Sequence, residues 1–502
     1  MSHGSESSFF NEEYDVIVVG AGIGGLNCAC WLALNGKKVI VLEKNGFLGG
    51  RCASYHKQGF KVDYGIHAFS LGEKGPLQEA VRAAKIKLHL KKSPLSWWRY
   101  PITLKFNESI FSPSLPINYT HFWNLFRTLW RILVLKETKR SDKFALLKTI
   151  YGLLKLRIGN QESLESLNVK EMLEKFSDSA VAQKIIASSS DCVSVIPYNR
   201  FIARDFMDIM FDIVKNGGIW YPKGGCGAIS QAYSQIIKKC GGSLHTTQEV
   251  DEILIKEDQI LDSAPHVIGV KLKNSQRVIH ASCVVANVHF SELFEKLLKQ
   301  RYFPESLGKK INSLETSLSA LVLHLAFDSV IFSQKIIMDS PMLLDKETSK
   351  QIAEGPIGGL FVIASNLDPY LVPQGKQLVI AALGINPVLM HEKDFLTKAL
   401  LDKLQTFAPP SIRIRDHVEW MDVFGPQEIE SLFGEKGAVI GIASTVRQGR
   451  KNRLDSRTPV RGLFHCGDDS GVNLWGVGTE LAARSGLQCA KIILDEKWGN
   501  GA

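Results

Sequence analysis

YDVIVVGAGIGGLNCACWLALNGKKVIVLEK, residues 14–44, is the stretch that decides the fold. Val16 to Val19 form a short β-branched run, the composition of a strand buried on both faces. Gly20, Gly22 and Gly25 follow in G-x-G-x-x-G spacing. The first glycine permits a tight turn, the second lets the backbone approach a pyrophosphate, and the third lets a helix pack on the strand. The helix runs through LNCACWLALNG and stops at Gly36, a C-cap by residue type. A second strand, KVIVLEK, carries Glu43 about 20 residues beyond the first glycine, where a ribose hydroxyl needs an acceptor. Strand, glycine turn, helix and acid together predict a dinucleotide site built from Gly20, Gly22, Ile23, Gly24, Gly25, Glu43 and Lys44. A carboxylate at position 43 disfavours a 2′-phosphate, leaving FAD or NAD rather than NADP.

The next stretch, NGFLGGRCASYHKQGFKVDYGIHAF (45–69), adds a second turn. Gly49 and Gly50 expose backbone amides, and Arg51 offers charge to a diphosphate or a flavin carbonyl. An Asp-x-Gly element follows as Asp63-Tyr64-Gly65-Ile66-His67. In this order of motifs the chain resembles the FAD-dependent amine oxidase and phytoene desaturase superfamily, which includes carotenoid desaturase-isomerases and retinol saturase-like proteins. Two further blocks carry the resemblance. Residues 220–253 contain Tyr221-Pro222, Gly224-Gly225-Cys226-Gly227, Gly241-Gly242 and Val250; residues 461–494 contain Gly467-Asp468 and Gly476-Val477-Gly478.

The resemblance implies non-covalent FAD, with Cys466 not at a tethering position. It places the Val250 backbone at the adenine, and Gly467-Asp468 at the ribityl-diphosphate. Gly476-Val477 would open the last helix, whose free amides would face the flavin N1–C2=O edge. Gly49, Gly50, Arg51, Gly65, Ile66 and His67 complete the expected cofactor contacts. His67 is the single candidate catalytic side chain; stacking, proton transfer and a structural hydrogen bond all remain open for it. Two motifs depart from the family. This chain has Ile66-His67-Ala68 where phytoene desaturase-like members often carry Pro-Thr, and SGVNLWGVG before the last helix where they carry a HPGGG-like run. Those departures leave the substrate open.

Composition narrows the class. The chain has 502 residues, 45% hydrophobic and 22% charged, which implies two or three domains. No apolar run has the length of a membrane-spanning helix, and the polar N-terminus does not read as a signal peptide. Nine scattered cysteines without a CxxC pair argue for a reducing cytoplasm and against a metal site. The net charge is +9, yet residues 91–160 alone carry 13 Lys/Arg and 3 Asp/Glu, so the remainder is close to neutral. Basic character confined to one segment argues against nucleic acid as a partner and for one charged surface.

That segment contains FWNLFRTLWRILVLKE (122–137) and KFALLKTIYGLLKLRIG (143–159). Phe122, Trp123, Phe126 and Trp130 alternate with Arg127 and Arg131. Two readings remain open: core helices of a substrate domain, or basic-rimmed apolar helices that sit on an anionic membrane and admit a lipid.

The expected fold is α/β, a discontinuous Rossmann-type FAD-binding domain of the glutathione-reductase kind with a mixed-sheet and helical substrate domain. FAD-binding parts are expected at 13–75, 216–300 and 455–495. Residues 80–215 are expected to form a helical substrate or membrane-facing part, and 301–450 the rest of the substrate domain. EGPIGGL (354–360) contains Pro356 and lacks a preceding strand, so it is discounted as a second dinucleotide site. Oxygen or a quinone is then the expected electron acceptor. The leading function is an FAD-dependent desaturase, saturase or isomerase acting on carbon–carbon bonds of a long apolar lipid such as a carotenoid. The alternatives are a soluble amine or protoporphyrinogen oxidase and a non-catalytic flavoprotein.

Overall fold

The computed structural model describes residues 13–496 apart from 101, 107–114, 118–138, 160, 181, 184–185, 187–189, 191–192, 217, 258–264, 299–301, 341–356 and 387–391. Phe122, Trp123, Phe126, Arg127, Trp130 and Arg131 lie outside the described residues.

Leaving short turns aside, the chain begins with β1 (Val16–Val19), α1 (Ile23–Leu34), β2 (Val39–Leu42) and a hairpin of β3 (Ser54–Lys57) and β4 (Phe60–Asp63). It continues through α2 (Pro76–Lys87), β5 (Trp97–Tyr100), β6 (Ile102–Phe106) and β7 (Leu115–Ile117). Helices α3 (Arg140–Ile158), α4 (Val169–Glu174) and α5 (Ala203–Lys215) precede β8 (Ile219–Pro222), α6 (Gly227–Lys239) and β9 (Ser243–His245). Next come β10 (Val250–Lys256), β11 (His266–Leu272), β12 (Val278–His280), β13 (Cys283–Ala286) and α7 (Glu305–Asn312). The strands β14 (Ser319–Phe327), β15 (Ile336–Ser340), β16 (Ile357–Ile363) and β17 (Gln377–Ile385) lead to α8 (Lys393–Gln405) and β18 (Val418–Phe424). Helix α9 (Pro426–Phe433), β19 (Leu463–His465) and α10 (Gly478–Asp495) close the chain.

The apolar run VIVV becomes β1, the centre of a five-stranded parallel sheet ordered β19-β13-β1-β2-β9. Strand order reverses at β1, the arrangement of dinucleotide-binding α/β domains. Val16 and Val18 pack in one cluster with α1 and α10, while Ile17 and Val19 pack in another with β10 and β11. Burial on both faces is why the run is continuously apolar rather than alternating. The three-stranded antiparallel sheet β10-β11-β12 covers the second face.

A seven-stranded mixed sheet, β18-β14-β17-β16-β15-β6-β7, forms the other half. Only β15 and β6 pair in parallel within it among the described residues. Strand β14 is buried throughout and shows the period of two. Leu321, Leu323, Leu325 and Phe327 pack against Leu396, Leu400 and Leu404 of α8. Ala320, Val322 and His324 point the other way, toward the dinucleotide half. The described part of the discounted EGPIGGL run belongs to this sheet, with β16 beginning at Ile357. No helix among the described residues is long and apolar enough to cross a membrane.

Candidate functional site

One cavity of about 850 Å³ begins at the carboxyl ends of the parallel strands and extends between α3, α5 and the seven-stranded sheet. Gly20, Glu43, Asn287 and Gly467 follow the ends of β1, β2, β13 and β19 respectively, and all four line it. Open α/β sheets place ligands there because the crossover helices diverge at the point where strand order reverses.

The glycine turn forms the floor. Gly20 adopts φ +94°, and a Cβ on it would meet the Asn287 carbonyl oxygen at 2.5 Å. A Cβ on Gly25 would meet the Gly20 oxygen at 2.5 Å, so the third glycine sets helix against strand as expected. Helix α1 starts at Ile23 with Gly22 as N-cap, no capping side chain and no acid in its first turn. Its first amides stay open to an anion. Gly22 and Gly24 line the cavity beside them. Gly49, at φ +109°, donates its N–H to the Ala21 carbonyl at 2.8 Å, which seats the second glycine turn on the first.

Glu43 is held rigidly. One carboxylate oxygen accepts the Ala21 N–H at 2.7 Å and the other the Asn45 N–H at 2.8 Å. Burial pushes its carboxyl up, and those two amides oppose the shift. A carboxylate has lone pairs beyond the two used here, which suits it to a ribose hydroxyl. Lys44 lines the cavity next to it and lies 4.0 Å from Glu292. Val250, the first residue of β10, lines the same end.

Arg51 differs from the expectation of a charge free for a diphosphate. Its guanidinium pairs with Asp468 at 3.1 Å and with Glu435. Burial works against its charge, and Asp468 and Glu435 outweigh that cost. Asp468 thus meets Arg51 directly, a contact across 417 positions of sequence. Asp469 beside it accepts the Phe290 N–H at 2.9 Å, and burial raises its carboxyl to about 6.

His67 is sandwiched. Its Nε2 lies 3.1 Å from the Arg51 carbonyl, which can only accept, so that nitrogen carries the proton. Its Nδ1, 3.3 Å from Thr479 Oγ1, is then the acceptor. The ring stacks on Phe69 at 5.9 Å, and burial lowers its pKa. With both nitrogens engaged, the ring reads as a hydrogen-bonded wall rather than a poised base. Gly65 and Ile66 line the cavity beside it. Gly476 and Val477 line it ahead of α10, whose N-cap Val477 offers no capping side chain.

Beyond this cradle the cavity is walled by apolar side chains. Ile150 and Leu153 come from α3, Met210 and Phe211 from α5, and Val322 and Val362 from the large sheet.

Several contributors escaped the sequence reading. Asn287 presses against Gly22 and Gly25 while donating Nδ2–H to the Cys466 carbonyl at 2.8 Å. Its Oδ1 is buried without a partner. Glu435 sits in a turn with φ +58° between Gly434 and Gly437. Nothing but glycine spacing marks it in sequence. Asp63 of the Asp-x-Gly element is a clamp: it accepts from Ser54 Oγ, the Cys226 N–H and the Tyr221 hydroxyl. The Tyr-Pro-x-Gly-Gly turn is therefore tied to the β3–β4 hairpin through that carboxylate. Cys466 packs with Cys28 and Cys489 in the interior and does not line the cavity.

The residues present fit FAD. The cavity lies toward the large end of ligand pockets. It joins open helix amides, a fixed carboxylate and an orphaned Asn287 oxygen at one end to an apolar lobe at the other.

Comparison with known proteins agrees. The flavin-containing amine oxidoreductase family matches residues 23–494. Prolycopene isomerase 1 of an Oncidium hybrid cultivar is 24% identical, covering 95% of this chain and 83% of its own. An all-trans-retinol 13,14-reductase of Danio rerio is 23% identical, covering 99% of this chain and 88% of its own. An oxidoreductase from Methanosarcina mazei superposes with TM-score 0.70 at 19% identity, covering 95% of this chain and 99% of that one.

Proposed function

This chain belongs to the flavin-containing amine oxidoreductase family, an FAD enzyme family, and from that premise we propose that it acts on carbon–carbon bonds of a long apolar polyene, as a desaturase, saturase or isomerase. The observation that carries the reading is the apolar lobe, whose walls from α3, α5, β14 and β16 present hydrocarbon to whatever enters. A hydrocarbon chain entering there gains about 25 cal/mol per Å² of apolar surface removed from water. The named activities of the relatives, isomerisation of prolycopene and reduction of retinol, support a polyene.

Bound FAD supplies two-electron chemistry at carbon. The protein's own part is binding and shielding. Gly20, Gly22 and Gly24 with the first amides of α1 receive the diphosphate, and Gly49 and Gly50 brace that turn. Glu43 accepts from the ribose, and Lys44 and Val250 border the adenine end. Arg51 and Asp468 act as a neutral pair at the diphosphate rather than as a free cation. The open amides of α10, with Gly476 and Val477, offer positive potential to the flavin pyrimidine edge. Gly65, Ile66 and His67 wall that edge, with His67 orienting rather than transferring a proton. Non-covalent binding of the cofactor is part of the proposal, supported by Cys466 not lining the cavity. Re-oxidation, where the reaction needs it, falls to oxygen or a quinone.

We further propose peripheral docking on an anionic membrane. Helix α3 turns Ile150 and Leu153 to the cavity, yet leaves Phe144, Tyr151 and Ile158 exposed by 72%, 68% and 90%. Spacing of seven keeps those three on one stripe.

The test is anaerobic mixing of the holoprotein with linear polyenes and with primary amines, following the flavin absorbance. Bleaching or polyene isomerisation with the former alone is expected. Bleaching by amines alone would replace this reading with the amine oxidase one.

A further inference from the structure

Two charged residues of α10 on the cavity wall, Glu480 and Arg484, are not used by the proposed reaction. Arg484, on the second turn of α10, lines the cavity, and its guanidinium carbon lies 3.9 Å over the Trp475 ring. Trp475 also lines the cavity. Stacking fixes the plane of the guanidinium but uses none of its hydrogens. Its Nε is buried without a hydrogen-bond partner. No hydrogen bond or ion pair joins the Arg484 side chain to an acceptor among the described residues.

Two acids stand near. Burial lowers the Arg484 pKa, and Glu480, one helical turn away on α10, and Asp212, on α5, are the two strongest opposing charges, ahead of Glu79 and Asp208. Neither bonds to it. Glu480 is committed elsewhere, accepting the Ser70 hydroxyl at 2.6 Å and the Leu71 N–H at 3.1 Å. Asp212 Oδ2 is buried without a partner. These acids offset only part of the cost of burying the charge, and its donors remain unused. The terminal Nη groups are not among the buried atoms and have no acceptor among the described residues, so they are the donors that a ligand in the cavity can reach.

What the site lacks is an acceptor, not a further negative charge. A carboxylate would bring a third anion beside Asp212 and Glu480. We infer that Arg484, braced on Trp475, is a specificity-determining residue that receives a neutral oxygen, a hydroxyl or carbonyl, at the end of an otherwise hydrocarbon substrate. This rests on the apolar-substrate reading above and sharpens it: the substrate is an oxygen-ended polyene held in register by that one hydrogen bond. The bond fixes how far the chain enters the lobe, and therefore which carbon–carbon bond lies at the flavin.

The experiment measures equilibrium binding to the holoprotein in mild detergent of three ligands sharing one isoprenoid skeleton: the hydrocarbon, its terminal alcohol and its terminal carboxylate. Wild type should bind the alcohol about tenfold more tightly than the hydrocarbon, the value of one hydrogen bond to a charged group. The carboxylate should bind less tightly than the alcohol. Arg484→Met keeps the side-chain length and should abolish the alcohol preference while holding the hydrocarbon affinity. A merely structural arginine would change all three ligands together. Equal binding of hydrocarbon and alcohol by wild type, or an alcohol preference that survives in Arg484→Met, overturns the assignment. A carboxylate that binds most tightly overturns the neutral-acceptor class. The wild-type series decides the question even where Arg484→Met does not retain flavin, and Arg484→Gln then serves as the second variant. Failure of all three ligands to bind overturns the apolar-substrate reading itself, an outcome distinct from binding without preference.

Discussion

At the scale of single residues, Glu43 and Gly22 carry the sharpest expectations. Glu43 both fixes the turn, through the Ala21 and Asn45 amides, and faces the cavity. Replacing it with Ala removes an acceptor and frees two amides, so flavin should be held about tenfold less tightly or worse. The flavin-to-protein absorbance ratio after gel filtration measures this, and an unchanged ratio would remove Glu43 from the site. Gly22 is more instructive. Its type and spacing were legible as a close approach to a ligand. The residue that crowds it was not: a Cβ there would lie 2.7 Å from Asn287 Oδ1. Gly22→Ala should therefore lose flavin, and combining it with Asn287→Ser separates the causes. Recovery in the double variant assigns the loss to Asn287; continued loss assigns it to the diphosphate. Arg51 shows the limit from the other side. Its charge was legible, but Asp468 and Glu435, which neutralise it, lie hundreds of positions away.

At the scale of elements, the contact of α1 with α10 decides whether the glycine turn is presented correctly. A Cβ on Gly486 of α10 would collide with the Gly24 carbonyl of α1. Gly486→Ala should cost about 1–3 kcal/mol by overpacking, read by chemical denaturation, and should weaken flavin retention as α1 is displaced. An Ala variant as stable as wild type would show that the helices separate freely. A second junction joins β14 to the β3–β4 hairpin. His324 Nε2 lies 3.2 Å from the Tyr64 carbonyl, and Tyr55 places its hydroxyl 2.8 Å from Nδ1 and 2.9 Å from Asp422. Burial lowers the His324 pKa from 6.5 to about 4. Between those values the unfolded chain binds a proton that the folded chain refuses. The contribution is therefore present above about pH 6.5 and is lost as the pH falls toward 4, to a total of about 3 kcal/mol. Asp469, raised to about 6 by burial, runs in the opposite sense, so the comparison must be made against a variant. His324→Gln should lose less stability than wild type across that acid range; parallel curves would contradict it.

At the scale of the whole molecule, the surface carries one prediction and the assembly one lesson. The exposed stripe of α3 should bring the protein down with anionic vesicles, weakly with neutral ones and less at high salt. Phe144→Glu with Ile158→Glu should release it while leaving flavin content intact. A wild type that stays in the supernatant with anionic vesicles rules out the docking. The sequence by itself determined the dinucleotide half. Its motifs are local: a turn, a helix start and a strand end dictate their own backbone, and each glycine states the conformation it permits. A mixed sheet in the substrate half was likewise expected, while its strand order was not. Only the tertiary structure decided that the Asp63 carboxylate is a clamp, that His67 has both nitrogens occupied, and that α3 faces cavity and solvent at once. It alone placed Asn287 under the glycine turn and Arg484 on Trp475 beside the lobe. Those facts depend on which distant side chains the packed core brings within hydrogen-bond reach, and no local preference encodes a contact between residues that far apart in the chain.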